Sequence, residues 1–358
     1  MTNIFHGKKV IVTGSTGFKG SWLCLWLKKM GAKVIGIGLN PEKGSIIFKS
    51  LKLDRDIKQY YLDITNFNKL DKIIKKEKPH LIYHLAAQSV VSDSYSKPLL
   101  TFNTNIIGSA NILEVCRKNN IKNLVYITSD KCYINKERST GYKESDELGG
   151  KDNYSSSKAS AEIIFKSYYE SYFKKGKNIS KVSARAGNVI GGGDFKINRI
   201  VPDAIRALEK NKSLYLRNPY STRPWQHVLE PLSGYIRLGE LIFKKKLKKN
   251  LVPNWNFGPE KKNCKTVIHL VKTLISNWGH KIKISIKENN KLFNEANLLS
   301  LNINKSKKEL NWKPTLTFLE TINFTIDWYK NFFKKENMKE FTLHQIEIFE
   351  KKIKRKYD

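Results

Sequence analysis

The sequence has little of what small secreted folds and membrane proteins depend on. Its 358 residues include four cysteines, scattered with no Cys-x-x-Cys pair: Cys24, Cys116, Cys132 and Cys264. This spacing argues against a zinc ribbon, a dithiol redox centre or a secreted disulfide framework. No apolar run approaches the roughly 20 residues that span a bilayer, and no apolar signal core follows Met1. We therefore expect a soluble protein of the reducing cytoplasm, with no membrane partner.

Acidic residues are also scarce. There are 32 of them against 66 basic residues, which gives a net charge of +34 and would ordinarily suggest a nucleic-acid partner. The lysines are nevertheless spread along the chain, and the sequence has no RNP motif, zinc finger or basic strand interleaved with aromatics. We interpret the charge as a solvated surface and expect no nucleic-acid partner, while a DNA- or RNA-binding protein stays a distant alternative. A third interpretation is that the charge draws nucleotides toward a cleft.

The first half of the chain alternates apolar, β-branched runs with helical stretches. Hydrophobic residues make up 40% of the chain, enough for a sizeable core. The alternation predicts strands at Lys9–Thr13, Lys33–Ile37, His80–Leu85, Asn123–Ile127 and Lys181–Ala184, and helices at Gly17–Met30, Asn66–Lys76, Pro98–Lys118 and Asn153–Phe173. Because parallel strands need crossover connections, this pattern predicts an α/β fold with a doubly wound parallel sheet, the Rossmann architecture.

The regular alternation ends near residue 186. Beyond it, glycines, prolines and arginines cluster, as in Gly191–Gly193 and Arg223–Pro224, and the helical stretches become short. We predict that residues 1–186 form a dinucleotide-binding domain, to which the chain can cross back later. Residues 187–335 would form a smaller mixed substrate lobe, with the ligand cleft between the two lobes. The pattern of residues 336–358 predicts a charged amphipathic helix that packs against the rest of the chain.

The first strand runs directly into a glycine-rich turn and a helix. Gly14, Gly17 and Gly20 let the backbone turn tightly and approach a pyrophosphate, which the helix N-terminus stabilises. A strand before the turn and a helix after it favour nucleotide binding over a merely structural turn. The second strand leads to Asn40 rather than to a carboxylate, so the residues leave NAD and NADP both open.

Two further strand ends carry residues suited to a cofactor. Asp63 and Ile64 follow the short strand Tyr60–Leu62, where a carboxylate could accept a hydrogen bond from an adenine amino group. The segment from Leu85 to Gln88 ends the next strand with small residues, which is expected where backbone lies close to a cofactor.

Tyr154 and Lys158 are four residues apart and share one face of the helix that they open. A tyrosine near pKa ~10 is a poor base at neutral pH, but a neighbouring ammonium and a nicotinamide cation would stabilise its phenolate. Thr128 and Ser129 end the preceding strand, where a hydroxyl would share a substrate alcohol with Tyr154. These residues predict proton abstraction from an alcohol during hydride transfer, rather than an exposed Tyr–Lys pair.

Together these motifs resemble the extended short-chain dehydrogenase/reductase family. Its sugar-nucleotide 4,6-dehydratases, and in particular the branch that acts on CDP-glucose, are similar to this chain at Gly14–Leu23, Ile127–Tyr133, Arg185–Asp194 and Arg223–Pro231. The similarity extends over nearly the whole chain. It implies NAD as the cofactor, bound by Gly14, Thr16, Gly17, Phe18, Lys19, Gly20, Asn40, Asp63, Ile64, Ala86, Ala87, Gln88 and Asn105.

The resemblance implies a lyase reaction in deoxysugar and lipopolysaccharide biosynthesis. C4 of CDP-glucose is oxidised, water leaves across C5 and C6, and the hydride returns to C6, which yields CDP-4-dehydro-6-deoxyglucose. The catalytic set that it implies is Thr128, Ser129, Asp130, Lys131, Tyr154 and Lys158. Asp130 would protonate the leaving C6 hydroxyl, and Lys131 would act as the base at C5. A plain ion pair between Asp130 and Lys131 on a loop is the alternative interpretation.

The resemblance also implies a substrate-binding set, in which planar guanidinium groups match phosphate geometry. This set is Asn188, Arg199, Arg217, Arg223 and His227, of which His227 is at least equally suited to a structural role. No cluster of residues has metal-ligand spacing, so we expect no metal. Family members pair through two long helices, which implies a homodimer or homotetramer. Another sugar-nucleotide 4,6-dehydratase, or a 4-epimerase or 4-reductase on the same fold, is the main alternative.

Overall fold

The computed structural model describes residues 3–41, 45–138, 140–174, 178–248, 251–286 and 298–357. Its strands are β1 (Lys9–Thr13), β2 (Lys33–Gly38), β3 (Lys58–Tyr61), β4 (Leu81–His84), β5 (Leu124–Ile127), β6 (Lys181–Ala186), β7 (Val189–Ile190), β8 (Leu214–Leu216), β9 (Thr222–Pro224), β10 (Gln226–His227), β11 (Asn254–Phe257), β12 (Cys264–Thr266) and β13 (Ile284–Ile286). Its α-helices are α1 (Phe18–Lys29), α2 (Ile46–Ser50), α3 (Leu53–Asp56), α4 (Phe67–Glu77), α5 (Val91–Ser96), α6 (Pro98–Phe102), α7 (Gly108–Lys118), α8 (Asn153–Tyr168), α9 (Ile200–Glu209), α10 (Leu229–Phe243), α11 (Val267–Trp278), α12 (Asn304–Leu310), α13 (Phe318–Phe333) and α14 (Met338–Tyr357).

The main sheet has seven strands within the described residues, in the order β3-β2-β1-β4-β5-β6-β11, and every neighbouring pair is parallel. β1 lies at the centre, with Val10 between Val34 of β2 and Leu81 of β4. Its apolar residues are fully buried because helices cover both faces of a parallel sheet. The predicted doubly wound α/β fold is confirmed, and the five strands predicted first agree with β1, β2, β4, β5 and β6 to within two residues.

The strand order reverses on either side of β1. Right-handed crossovers in opposite directions place helices on opposite faces. Accordingly α4, α7 and α8 pack side by side, whereas α1 packs with α10. Such a reversal opens a crevice outside the carboxyl ends of the strands, where α/β sheets bind ligands.

Two predicted helices contain π-helical turns. The stretch Pro98–Lys118 is α6 and α7 joined by a π-helical turn at Asn103–Ile107, and the stretch Asn153–Phe173 is α8 followed by a second one at Tyr169–Phe173. A π-helical turn changes which side chains share a helix face, and such turns are frequent at functional sites.

The chain crosses back into the main sheet after residue 186. α10 packs under β5 and β6, and β11 pairs with β6, so these two elements belong to the unit built on the main sheet. The smaller lobe is built on α9, α11 and the short pairs β8–β13 and β9–β12. Residues 249–250 and 287–297, within the range predicted for this lobe, lie outside the described residues.

The last helix packs against the rest of the chain. α14 contacts α13 and α1, where the indole nitrogen of Trp26 donates to Glu350 Oε1 at 2.8 Å and that of Trp328 donates to Thr342 Oγ1 at 2.9 Å. In the part of the chain that the structure describes, no helix is both long and apolar enough to cross a membrane.

Candidate active site

The glycine turn is packed too tightly for side chains at two of its positions. Gly14 has φ +71°, and a Cβ on it would lie 2.8 Å from the backbone nitrogen of Ala86. A Cβ on Gly20 would lie 2.0 Å from the carbonyl oxygen of Gly14. Glycine is therefore required at both positions, because the turn brings the end of β1, the start of α1 and the loop after β4 into contact.

The N-terminus of α1 is open toward this turn. Its N-cap residue is the exposed Gly17, no side chain among the described residues caps the helix, and the first turn carries no acidic residue. The unpaired N–H groups of the first turn and the helix dipole therefore favour an anion. The ring of Phe18 lies beside Gly191 of the smaller lobe, which places this turn at the junction of the two lobes.

The loops after β2 and β3 lie next to the glycine turn. Thr16 Oγ1 donates to the Leu39 carbonyl at 3.0 Å, next to the exposed Asn40. Asp63 Oδ1 accepts from the backbone N–H and the hydroxyl of Thr65 at 2.9 and 2.8 Å. The Asn111 amide donates to the Ile64 carbonyl at 3.0 Å and so holds this loop in place.

Asn105 holds the backbone of the loop after β4 in place. It lies in the first π-helical turn, where its Oδ1 accepts from the Gln88 N–H at 2.8 Å and its Nδ2 donates to the Gln88 carbonyl at 3.0 Å. Nδ2 also donates to the Ser157 hydroxyl of α8 at 2.9 Å. Asn105 thereby joins the segment Ala86–Gln88 to α8. Together, the tight turn, the uncapped helix and these loops fit a dinucleotide.

The Tyr–Lys pair is buried at the start of α8. Lys158 Nζ lies 5.9 Å from the centre of the Tyr154 ring. Burial raises the pKa of Tyr154 to about 12, whereas a hydrogen bond with Ser129 and the positive charge of Arg199 act to lower it. Burial and the positive charge of Lys19 lower the pKa of Lys158 to about 7. At neutral pH the ammonium of Lys158 is thus close to losing its proton in the cofactor-free chain.

Ser129 and Asp130 also act on Tyr154. The Ser129 hydroxyl donates to Asp130 Oδ1 at 2.9 Å, and Asp130 Oδ2 is buried without a hydrogen-bond partner among the described residues. Burial raises the pKa of Asp130, against the opposing charges of Lys131, Arg223 and Lys19 and the hydrogen bond from Ser129. The half-buried Lys131 follows in the same 3₁₀ turn. An unpartnered buried carboxyl oxygen is suited to a proton donor.

Thr128 does not face the crevice. Its hydroxyl donates to the buried carboxylate of Glu162, so it points into the core beneath α8. Successive residues at a strand end point to opposite sides, which is why Ser129 rather than Thr128 lies beside Tyr154. We therefore remove Thr128 from the candidate catalytic set.

Gly187 allows the segment around Pro224 to approach Asp130 closely. A Cβ on Gly187 would lie 2.9 Å from Pro224 Cγ and 3.3 Å from Asp130 Oδ2. This close approach carries the buried Arg223 to the crevice, where its charge acts on Asp130. Asn188 is half-buried next to Gly187, and its carbonyl accepts from the Gln226 N–H at 3.2 Å.

The structure does not bring the other three substrate-set residues to one place. Arg217 is exposed after β8, and its charge acts on Asp203 of α9. Arg199 bridges Asp194 and Ser89 beside Tyr154.

His227 is fully buried, with its ring edge-on to Trp22 at 5.7 Å and to Phe324 at 5.5 Å. Its side chain therefore packs in the core behind the crevice. We remove His227 from the substrate-binding set.

Sequence reasoning missed a row of buried, hydrogen-bonded side chains beneath the site. His84 Nδ1 is hydrogen-bonded to Thr13 Oγ1 at 2.7 Å, and its Nε2 to Ser109 Oγ at 3.1 Å. Burial and the charge of Lys158 lower the pKa of His84 to about 3, so the ring is neutral. Thr13 also accepts from the Ala86 N–H at 3.2 Å, which anchors the loop after β4. No local pattern signals this row, since its members come from three separate elements.

The fold and this arrangement of glycine turn, Tyr–Lys pair and strand-end hydroxyl define the extended short-chain dehydrogenase/reductase class. More narrowly, the chain belongs to the family described as GDP-mannose 4,6 dehydratase, whose model matches residues 11–325.

Individual relatives agree with this placement. The chain is 40% identical over 341 residues to a CDP-glucose 4,6-dehydratase of Salmonella typhimurium, and the match covers 94% of each chain. The fold is similar to that of dTDP-glucose 4,6-dehydratase from Bacillus anthracis in complex with NAD, with a TM-score of 0.75, 24% identity and coverage of 91% of this chain and 97% of that one. It is also similar to that of UDP-glucose 4-epimerase from Thermotoga maritima, with a TM-score of 0.79, 20% identity and coverage of 91% and 99%. None of this supports the nucleic-acid alternative.

Proposed function

We propose that this protein is an NAD-dependent sugar-nucleotide 4,6-dehydratase that converts CDP-glucose to CDP-4-dehydro-6-deoxyglucose. The observation that carries the proposal is the Asp130–Lys131 pair beside Ser129 and Tyr154. An oxidation at C4 alone needs Tyr154 and a hydroxyl, whereas an elimination also needs an acid and a base. The buried Oδ2 of Asp130, which has no hydrogen-bond partner among the described residues, supplies the first of these. The 40% identity to a CDP-glucose 4,6-dehydratase supports the choice of substrate.

The cofactor site would be formed by the glycine turn and the loops after β2, β3 and β4. Gly17 and the first turn of α1 would hold the pyrophosphate, Asp63 the adenine amino group, and Asn40 a ribose hydroxyl. When bound there, NAD supplies a hydride acceptor for C4 and a hydride donor for C6.

In the oxidation half, Tyr154 would take the proton of the C4 hydroxyl while the Ser129 hydroxyl holds the same oxygen. Burial opposes the phenolate that this requires, and nearby positive charge favours it. Arg199 contributes such a charge, and Lys158, 5.9 Å from the centre of the Tyr154 ring, does so while it is protonated. Lys158 lies one helical turn after Tyr154, so the two side chains share one face of α8.

In the elimination half, Lys131 would remove the C5 proton, which the new C4 ketone makes acidic. Asp130 would give its proton to the departing C6 hydroxyl, so that water leaves and the C5–C6 double bond forms. After the hydride has returned to C6, a proton goes back to C5. Arg223 beside Asp130 and Asn188 at the end of β6 would hold the pyrophosphate of the sugar nucleotide.

The test is to supply CDP-glucose deuterated at C4. The product is detected in alkali by the absorbance of a 4-keto-6-deoxy sugar. Its C6 methyl group should contain the deuterium. Deuterium found only in solvent or in free coenzyme would reject the internal hydride return. CDP-, dTDP- and UDP-glucose and GDP-mannose should be compared in parallel, since much faster turnover of another nucleotide would move the assignment to another dehydratase.

The second candidate is a 4-epimerase, favoured by the shared fold of UDP-glucose 4-epimerase. It would use Tyr154 and Ser129 in the same way but needs no acid and base at positions 130 and 131. An epimerase would return the deuterium to C4 and release no 4-keto product.

We also propose a homodimer, or a tetramer built from dimers, that forms through α6, α7 and α8. Exposed apolar residues lie on these helices and their π-helical turns, and we call this set the helical face: Leu99, Leu100, Ile107, Ile163 and Tyr172. Apolar residues grouped on one face favour burial against a partner. The four unpaired cysteines support a location in the cytoplasm.

A further inference from the structure

Arg199 forms a bridge between the two lobes. It is the N-cap residue of α9, and its Nη1 donates to Asp194 Oδ2 at 2.8 Å. Its Nη2 donates to the hydroxyl of Ser89 at 2.8 Å and to the Ser89 carbonyl at 3.1 Å. Ser89 belongs to the loop after β4, and Asp194 to the loop after β7. We call these three contacts the arginine clamp.

The anchors of the clamp are themselves held. Asp194 Oδ1 accepts from the Lys196 N–H at 3.2 Å, and the Asp194 carbonyl accepts from the hydroxyl of Tyr329 on α13. Because both terminal nitrogens of the planar guanidinium are engaged, its position is fixed. Committed in this way, Arg199 has little freedom to bind a substrate phosphate.

Hydrogen bonds link the clamp to the first turn of α8. Ser89 follows Gln88, whose backbone pairs with the Asn105 amide, and Asn105 donates to the Ser157 hydroxyl, which donates to the Tyr154 carbonyl at 2.7 Å. The clamp therefore holds a charge that does not titrate near a tyrosine that must ionise.

Around Tyr154 stand Ser129 and Asp130 from the loop after β5, Asp152 at the N-cap of α8, Lys158 on α8 and Arg199 from α9. Lys19 on α1 faces both Arg199 and Lys158. Asp130 and Asp152 oppose ionisation of the tyrosine, and Lys158 is close to neutrality at pH 7. A guanidinium keeps its charge throughout this range.

We propose that Arg199 is a positioning residue of the oxidation step, held by Asp194 and Ser89 so that its permanent charge stabilises the tyrosinate of Tyr154. The inference rests on the proposed function and deepens it, because it replaces the substrate-phosphate role expected for Arg199 with a role in proton abstraction. Asp194 and Ser89 then serve the reaction without touching the substrate.

The kinetic test compares Arg199→Met and Arg199→Lys with Arg206→Met in the holoenzyme. Arg206 is the matched control because it lies on the same helix and pairs with Asp203 and the Phe195 carbonyl away from Tyr154. In Arg199→Met the acid limb of the pH profile of kcat should move by about one pH unit to higher pH. At pH values on this limb, kcat should therefore fall about tenfold. KM for CDP-glucose should stay near that of the parent, and Arg199→Lys should restore most of the shift.

A second measurement does not need turnover. The ultraviolet absorbance of tyrosinate is titrated in the NAD-bound protein, and Tyr154→Phe is subtracted to isolate Tyr154. The titration of Tyr154 should move to higher pH in Arg199→Met. It should move by less in Ser89→Ala, because this change removes only one contact of the clamp. Ser89→Ala also serves as the second variant should Arg199→Met fold poorly.

An unchanged acid limb together with an unchanged tyrosinate titration overturns the inference. This holds if KM rises, as a phosphate-binding arginine requires, and equally if KM stays constant. If the parent protein does not turn over CDP-glucose, the proposed function fails, and the tyrosinate titration alone decides the role of Arg199.

Discussion

The guanidinium of Arg185 lies 2.7 Å from the carboxylate of Glu162, and both side chains are only 2% exposed. Glu162 lies on α8 one turn after Lys158, and Arg185 lies on β6. The same carboxylate accepts hydrogen bonds from the hydroxyls of Thr128 and Ser183. This buried pair therefore holds α8, β5 and β6 in one arrangement and sets the position of the helix that carries Tyr154 and Lys158.

Removing one partner of this pair should destabilise the protein strongly. Glu162→Ala leaves the Arg185 charge buried without its partner, which costs about 3–5 kcal/mol of unfolding free energy. Chemical denaturation measures the loss. The control is Glu147→Ala, whose ion pair with Lys136 is 64% exposed on each side and is worth less than about 1 kcal/mol. Equal losses in the two variants would contradict the role assigned to the buried pair.

Lys131→Ala should separate oxidation from elimination. The variant should bind NAD and still oxidise C4, because Tyr154 and Ser129 are intact, while formation of the 4-keto-6-deoxy product falls about 10²- to 10⁴-fold, as expected for loss of a general base. Single-turnover experiments that follow reduced nicotinamide and product together measure both steps. Lys143→Ala, which removes an exposed lysine from the segment between β5 and α8, is the control. Near-normal product formation in Lys131→Ala would exclude Lys131 as the base at C5.

Lys158→Met should stabilise the cofactor-free chain while it abolishes activity. Burial lowers the pKa of Lys158 from 10.5 to about 7, so between these values the unfolded chain binds more protons than the folded chain. The stability of the parent therefore rises with pH across this interval. The advantage of the variant should be greatest at pH 7 and smaller at pH 9, as measured by thermal unfolding at both values. An equal gain in stability at the two pH values would argue against a buried ammonium. The control is Lys151→Met, which removes the charge of an exposed lysine.

Charges placed on the helical face should weaken the proposed dimer. Ile107 and Ile163 are 51% and 54% exposed, and Ile107→Glu with Ile163→Glu would bury two carboxylates per protomer in an apolar contact. Sedimentation should show a shift toward monomer, with the thermal midpoint falling as protein concentration falls. Val252→Glu, at a 60% exposed residue away from this face, should change neither quantity. An unaltered assembly in the double variant would place the contact elsewhere.

Much of the fold and part of the site could be predicted because the signals are local. Alternating apolar runs predict the strands around β1, and the spacing of Gly14, Gly17 and Gly20 predicts the turn that the structure packs against Ala86. The four-residue spacing of Tyr154 and Lys158 predicts their shared face. Each of these inferences needs only neighbouring residues and the period of one element.

The residues that sequence reasoning misplaced depend on contacts between distant segments. Thr128 and Ser129 are chemically equivalent in the sequence, and the packing of Glu162 beneath β5 decides which of them faces Tyr154. The surroundings of His227 are set by Trp22 and Phe324, which lie far from it in the chain. Likewise, no pattern near Arg199 indicates Ser89, 110 residues away.

By itself, the amino-acid sequence determined a doubly wound sheet, a tight glycine turn and a Tyr–Lys pair on one helix, since steric and hydrogen-bonding rules act over a few residues. Only the tertiary structure decided which polar groups share the crevice, which are locked in the core and which charges surround Tyr154. Burial and long-range pairing set those outcomes, because the ionisation of a side chain depends on everything packed against it rather than on its neighbours in the chain.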